Sequence, residues 1–193
     1  MLARRILEAH WGRSIAEGEI ESAYLHRVHQ LSGDVNGYER KVELAIIEAA
    51  IRECSCVVIV VDQDGPANSD RLRHLRAGRT RAETSGHSLA YSSVVGVAVR
   101  VVETWLLADV LAINQALAPD PPASTRGALE DLYGDKGTQG HPKTLFAQLA
   151  STATVEVSAP YDAVATCIRL DILEQRCPKG FAALASEIRR RCR

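Results

Sequence analysis

Cys56-Val57-Val58-Ile59-Val60-Val61-Asp62-Gln63-Asp64-Gly65 is the stretch that decides the fold. The run from Val57 to Val61 is β-branched throughout and shows no alternation of apolar with polar positions. A strand covered on both faces, central in a parallel sheet, reads this way. Asp62-Gln63-Asp64-Gly65-Pro66 reads as the turn that ends it. A second apolar run, Val94 to Val102, is interrupted by Gly96 and Arg100 and stops at Glu103. Residues 68–78 lie between the two strands and read as a basic helix with Leu72 and Leu75 inward. Residues 79–92, rich in Gly, Ser and Thr, read as a flexible loop. Thr104 to Leu117 reads as a helix with Trp105, Leu106, Val110, Ile113 and Leu117 apolar. Strand, helix, strand, helix is the α/β signature.

Working outward, Leu44, Ile47 and Ile51 predict a helix over 38–53, and Leu2, Ile6 and Ala9 another over 1–12. Residues 14–32 fit neither period cleanly, with a strand near 23–29 as one reading. Residues 118–141 carry Pro119, Pro121, Pro122 and several glycines and read as a surface insertion. Helices are expected at about 142–151, 160–175 and 179–191. The expected architecture is one three-layer domain over 1–193. Its core spans about 38–117, its sheet has about four mostly parallel strands, and its C-terminal portion, 142–193, is helical.

The chain has 193 residues, 46% of them hydrophobic, with 23 Lys+Arg against 24 Asp+Glu. That apolar content excludes a largely disordered chain. A net charge of −1 excludes global attraction to a polyanion, so a nucleic acid would need a local patch. No apolar run approaches the roughly 20 residues of a membrane helix, and Met1 to Arg5 opens no secretory h-region. A soluble, cytoplasmic protein without a membrane partner is expected. The cysteines Cys54, Cys56, Cys167, Cys177 and Cys192 are odd in number and lack C-x-x-C spacing, so all are expected as reduced thiols.

Parallel strands deliver their last residues to one edge of the sheet, where ligands of open α/β sheets bind. Asp62 and Asp64 leave one strand there and Glu103 the other. Converging carboxylates repel unless a cation neutralises them, and a hard cation, Mg²⁺ or Mn²⁺, suits oxygen ligands. Asp62, Asp64 and Glu103 are therefore the expected metal ligands and catalytic carboxylates. The plainer reading makes Asp62 and Asp64 turn residues, Asp64 capping the next helix, and Glu103 a helix-start residue. Arg71, Arg73 and Arg76, within a cluster that runs on to Arg79 and Arg81, are expected phosphate or nucleic-acid contacts. Lys143, after His141-Pro142, is a further candidate for phosphate, and Asp109 a support behind the ligands. No Gly-x-Ser-x-Gly elbow, Walker loop or dinucleotide fingerprint is present.

The run ending in Asp62-Gln63-Asp64-Gly65 resembles the opening of haloacid-dehalogenase-type phosphatases, in which the first Asp is the nucleophile. Pro66-Ala67 stands where that family has Thr and an aliphatic residue. The combination of Val57-to-Gly65, Glu103-Thr104-Trp105-Leu106-Leu107-Ala108-Asp109, His141-Pro142-Lys143 and Leu170-to-Phe181 resembles an uncharacterised bacterial family. That family is a domain of unknown function with a Toprim-like core, and the resemblance spans residues 40–185. It implies Mg²⁺-dependent, nuclease-like phosphodiester chemistry, with a place in a defence or repair system. Such proteins open with a strand and a Glu-Gly motif that serves proton transfer. Here the chain opens on Met1-Leu2-Ala3-Arg4, read as the helix that follows. The second expectation is therefore a catalytically incomplete interaction module with a protein partner.

Overall fold

The computed structural model describes residues 2–16, 19–21, 37–64, 68–125, 127, 129–131 and 138–192. The possible strand near 23–29 and the Gly65-Pro66 end of the acidic turn lie outside the described residues. Helices α1 (Leu2–Trp11) and α2 (Gly37–Ile51) precede strand β1 (Val57–Asp62). Helix α3 (Arg71–Thr84) leads through a 3₁₀ turn, Ser88–Ser92, into strand β2 (Ser93–Ala98). Then come α4 (Glu103–Leu106), α5 (Val110–Leu117), α6 (Pro142–Ser151), α7 (Pro160–Cys167), α8 (Leu170–Arg176) and α9 (Ala183–Arg191).

The fold is mixed α/β, and among the described residues the sheet has two parallel strands, β1 and β2. The expected sheet of about four strands is thus larger than the one seen. The burial of the strands also differs from expectation. Every residue of β2 is buried, whereas in β1 only Ile59 is. The unbroken apolar run marked the less covered of the two strands.

The chain divides into two compact units. One comprises Ala3–Val60, Asn68–Val97 and Leu184–Arg193. Its core includes Ile6, Val42, Ile46, Leu75, Val94 and Ile188. Helices α2 and α3 pack together closely in it. Gly78 permits this: a Cβ there would meet the Glu39 carbonyl oxygen at 2.3 Å. The expected loop over 79–92 is instead the second half of α3 and a 3₁₀ turn. Its polar residues are anchored, with Arg79 on Glu187 at 3.2 Å and Arg81 on Glu43 at 3.3 Å. Cys56 and Cys192 are disulfide-bonded with Cα atoms 5.6 Å apart, which corrects the expectation of five reduced thiols.

The other unit comprises Met1–Leu2, Val61–Ala67 and Ala98–Ala183. Trp105 meets Phe181 edge-on with ring centroids 5.4 Å apart, and Phe146 lies 4.7 Å from the Tyr161 ring. The helices expected over 104–117 and 160–175 are each broken, at Asp109 and at Ile168-Arg169. One interaction accounts for both breaks. Asp109, 1% exposed, caps α5 through the Ala112 N–H. It also accepts from Arg169 Nε at 2.9 Å, Nη2 at 2.8 Å and the backbone N–H at 3.0 Å. Segment 118–141 is not merely a surface insertion. Glu130 is buried and accepts the N–H groups of Lys179 and Gly180 at 2.8 and 2.7 Å. Burial holds its carboxyl above the ordinary value despite those donors.

Candidate functional site

Parallel pairing continues past the end of β1. The Gln63 N–H donates to the Ala98 carbonyl at 2.9 Å, and the Asp64 N–H to the Arg100 carbonyl at 2.8 Å. Asp64 and Arg100 are both left-handed, at φ 56° and 70°. Asp tolerates that region, Arg adopts it rarely, and strained backbone of this kind concentrates at functional sites. Asp70, not Asp64, occupies the position before α3, so Asp64 is not that helix's cap.

Asp62 Oδ1 accepts the Val102 N–H at 2.9 Å. The end of β1 is thereby tied to the residue that precedes Glu103 and α4. Lys143 Nζ lies 3.3 Å from Asp62 Oδ2. Burial alone would lower the Lys143 ammonium's pKa, but the Asp62 and Glu103 carboxylates outweigh it and the net shift is upward. Lys143 stays charged. It stands in the first turn of α6, behind Pro142, where a proline's fixed φ suits helix initiation.

Glu103 is only 4% exposed. Its Oε1 accepts from the Tyr161 hydroxyl at 2.8 Å. Its Oε2 is buried and has no hydrogen-bond partner among the described residues. Burial, the Glu103 hydrogen bond and the Glu103 and Asp62 charges push the Tyr161 phenol up to about 12. The hydroxyl therefore keeps its proton and acts as a donor. His141 is buried, and its Nδ1 accepts the Lys143 N–H at 3.2 Å, capping α6. Burial, then the positive charges of Arg100 and Lys143, pull its pKa below the ordinary value. The ring is neutral at pH 7, with its proton on Nε2.

Asp62, Asp64, Glu103 and Lys143 belong to the same unit. No group of three or more His, Cys, Asp or Glu side chains is placed to hold a metal ion among the described residues. Asp109, expected as a support behind the ligands, faces Arg169 and the start of α5. Its carboxyl is held below the ordinary value because the Arg169 and backbone hydrogen bonds outweigh burial.

The predicted phosphate arginines belong to the other unit. Arg71 stacks over Tyr38 with its guanidinium carbon 5.0 Å from the ring centre. Arg73 pairs with Asp70 at 3.3 Å, and Arg76 is exposed. His74, inside this cluster, pairs with Glu39 at 2.8 Å. Carboxylates and an aromatic ring thus engage much of what reads in sequence as a basic patch. Tyr161 was not identified from sequence. It lies 58 residues from Glu103, and an isolated tyrosine near a helix start carries no local signal.

No protein-family model, curated protein or solved structure matches the chain.

Proposed function

We propose that this protein is a divalent-cation-dependent phosphodiester hydrolase, nuclease-like in chemistry, with Asp62 and Glu103 as the carboxylates that would hold Mg²⁺ or Mn²⁺. The observation that carries this reading is Glu103 Oε2, buried and unpartnered among the described residues, in the unit that also holds the Asp62–Lys143 pair. A buried carboxylate oxygen without a donor is costly, and a cation relieves that cost. The donor set is all oxygen, which suits a hard ion. When bound, such an ion polarises a phosphate oxygen and lowers the pKa of a coordinated water.

The chain's own residues divide the remaining work. The Tyr161 hydroxyl fixes Glu103 Oε1, which leaves Oε2 for the ligand. Lys143 supplies a permanent point charge for a non-bridging phosphate oxygen. His141, neutral with Nδ1 committed to the α6 cap, sets where Lys143 begins and does not serve as a base through that nitrogen. A Toprim-like core and a cytoplasmic location belong to the same proposal. No described helix is long and apolar enough to cross a membrane. The Cys56–Cys192 disulfide pulls against a reducing compartment. Nucleic acid is the proposed macromolecular partner, with Arg71, Arg73 and Arg76 as the phosphate contacts.

Titration calorimetry of Mg²⁺ and Mn²⁺ into the wild type and Asp62→Asn tests the site. Hydrolysis of bis(p-nitrophenyl) phosphate tests the chemistry. Metal binding that Asp62→Asn weakens at least tenfold, with metal-dependent release of p-nitrophenol, is expected. Equal binding by both proteins removes the site. Binding without hydrolysis leaves the interaction module as the better reading.

A further inference from the structure

We propose that Lys143 is a built-in counter-ion: its ammonium holds the Asp62 carboxylate until a divalent cation takes its place, and the displaced ammonium then grips the phosphate. The inference rests on the cation reading above and concerns how that same site is filled. Four observations support it. The Lys143 Nζ–Asp62 Oδ2 separation is 3.3 Å, an ion pair longer than the usual hydrogen-bond distance. The Lys143 side chain is 38% exposed and that of Asp62 28%, so the two can part without unpacking the core. The Lys143 backbone is held, by Pro142 ahead of it and His141 Nδ1 on its N–H, so only the flexible side chain has to swing. The ammonium also leaves Glu103 Oε2 without a donor among the described residues. The single positive charge pairs with Asp62 at 3.3 Å and acts on Glu103 only through space, whereas a doubly charged ion neutralises both carboxylates more fully and outcompetes it.

The swing frees a cation at the N-terminal end of α6, an end that itself favours anions. Cation and phosphate then bind with positive coupling, and by thermodynamic linkage each raises the affinity of the other by the same factor. Without Lys143 the cation loses its competitor and the phosphate loses its grip. Removal of one positive charge alone explains only the first effect, so the coupling is the deciding observation.

The test is Mn²⁺ titration of the full chain, followed by calorimetry and by the electron paramagnetic resonance signal of free Mn²⁺. Wild type, Lys143→Met and Lys143→Arg are each measured with and without inorganic phosphate, and circular dichroism checks their folding. In phosphate-free buffer, Lys143→Met is expected to bind Mn²⁺ on the order of tenfold more tightly than wild type. Phosphate is expected to tighten Mn²⁺ binding several-fold in the wild type and Lys143→Arg, and not in Lys143→Met. Mn²⁺ binding by Lys143→Met alone supports the inference in its strongest form. Binding by the wild type that neither the substitution nor phosphate changes overturns the counter-ion role and leaves the cation site standing. No binding by any of the three proteins overturns both.

Discussion

Asp62 Oδ1 accepts the Val102 N–H at 2.9 Å, so the carboxylate that ends β1 also fixes the backbone entering Glu103. Two segments 40 residues apart are joined by one side chain. The candidate site depends on this link twice, once for the position of Asp62 and once for the start of α4.

The two roles of Asp62 separate by substitution. Asp62→Ala leaves the Val102 N–H without its acceptor and should lower stability by about 1–2 kcal/mol. Asp62→Asn keeps an oxygen for that N–H and should cost less, while still losing the charge that faces Lys143. Urea unfolding of both variants beside the wild type measures the difference.

The Asp109–Arg169 pair should be the most sensitive polar contact of its unit. Asp109→Ala uncaps α5 and takes the acceptor from the Arg169 backbone N–H, while the Arg169 guanidinium, 48% exposed, turns to water; the lost cap alone should cost about 1 kcal/mol. Because the Asp109 carboxyl is held below its ordinary value, its contribution is present above the unfolded pKa and lost as pH falls through the folded one. Thermal unfolding of the variant and the wild type at neutral and acidic pH checks both statements.

The Tyr161 phenol should titrate late. Of five tyrosines, the one bonded to Glu103 is pushed up to about 12. Ultraviolet difference titration should show a step near that value in the wild type and none in Tyr161→Phe. The same variant removes the donor to Glu103 Oε1, so metal-dependent hydrolysis should fall on the order of tenfold with the fold retained.

His141 should make stability depend on pH near neutrality. Its folded pKa lies below the ordinary 6.5, first through burial and then through Arg100 and Lys143. The unfolded chain therefore takes up the proton first as pH falls. The contribution is whole above 6.5, and it is lost as pH drops from there through the folded value. The melting temperature should decline over that window in the wild type. His141→Asn retains a capping acceptor without a titrating ring, and its melting temperature should decline less.

The sequence made some of this architecture legible and hid the rest for identifiable reasons. Helices α2 and α6 and both strands follow from apolar spacing, from Pro142 and from the run at Val57–Val61. The second half of α3 was hidden because Gly78 and the polar residues after it imitate a loop. Gly78 is there for close packing on Glu39, and Arg79 and Arg81 are held by glutamates distant in sequence. The breaks at Asp109 and Arg169 come from a pair 60 residues apart, which no local periodicity reveals. Asp62 is legible as an acid ending a strand and Lys143 as a lysine entering a helix, but β2 stops at Ala98 and Glu103 opens α4, so the strand read as running from Val94 to Val102 and stopping at Glu103 is shorter than expected. That Lys143 pairs with Asp62, and that Tyr161 completes Glu103, are tertiary facts.

An anomalous difference map from crystals equilibrated with Mn²⁺ tests the central claim most directly. A single peak within about 2.2 Å of Glu103 Oε2 and of an Asp62 oxygen is expected, with Lys143 Nζ moved off Asp62. A map with no peak there, and with Lys143 still paired to Asp62, would contradict it.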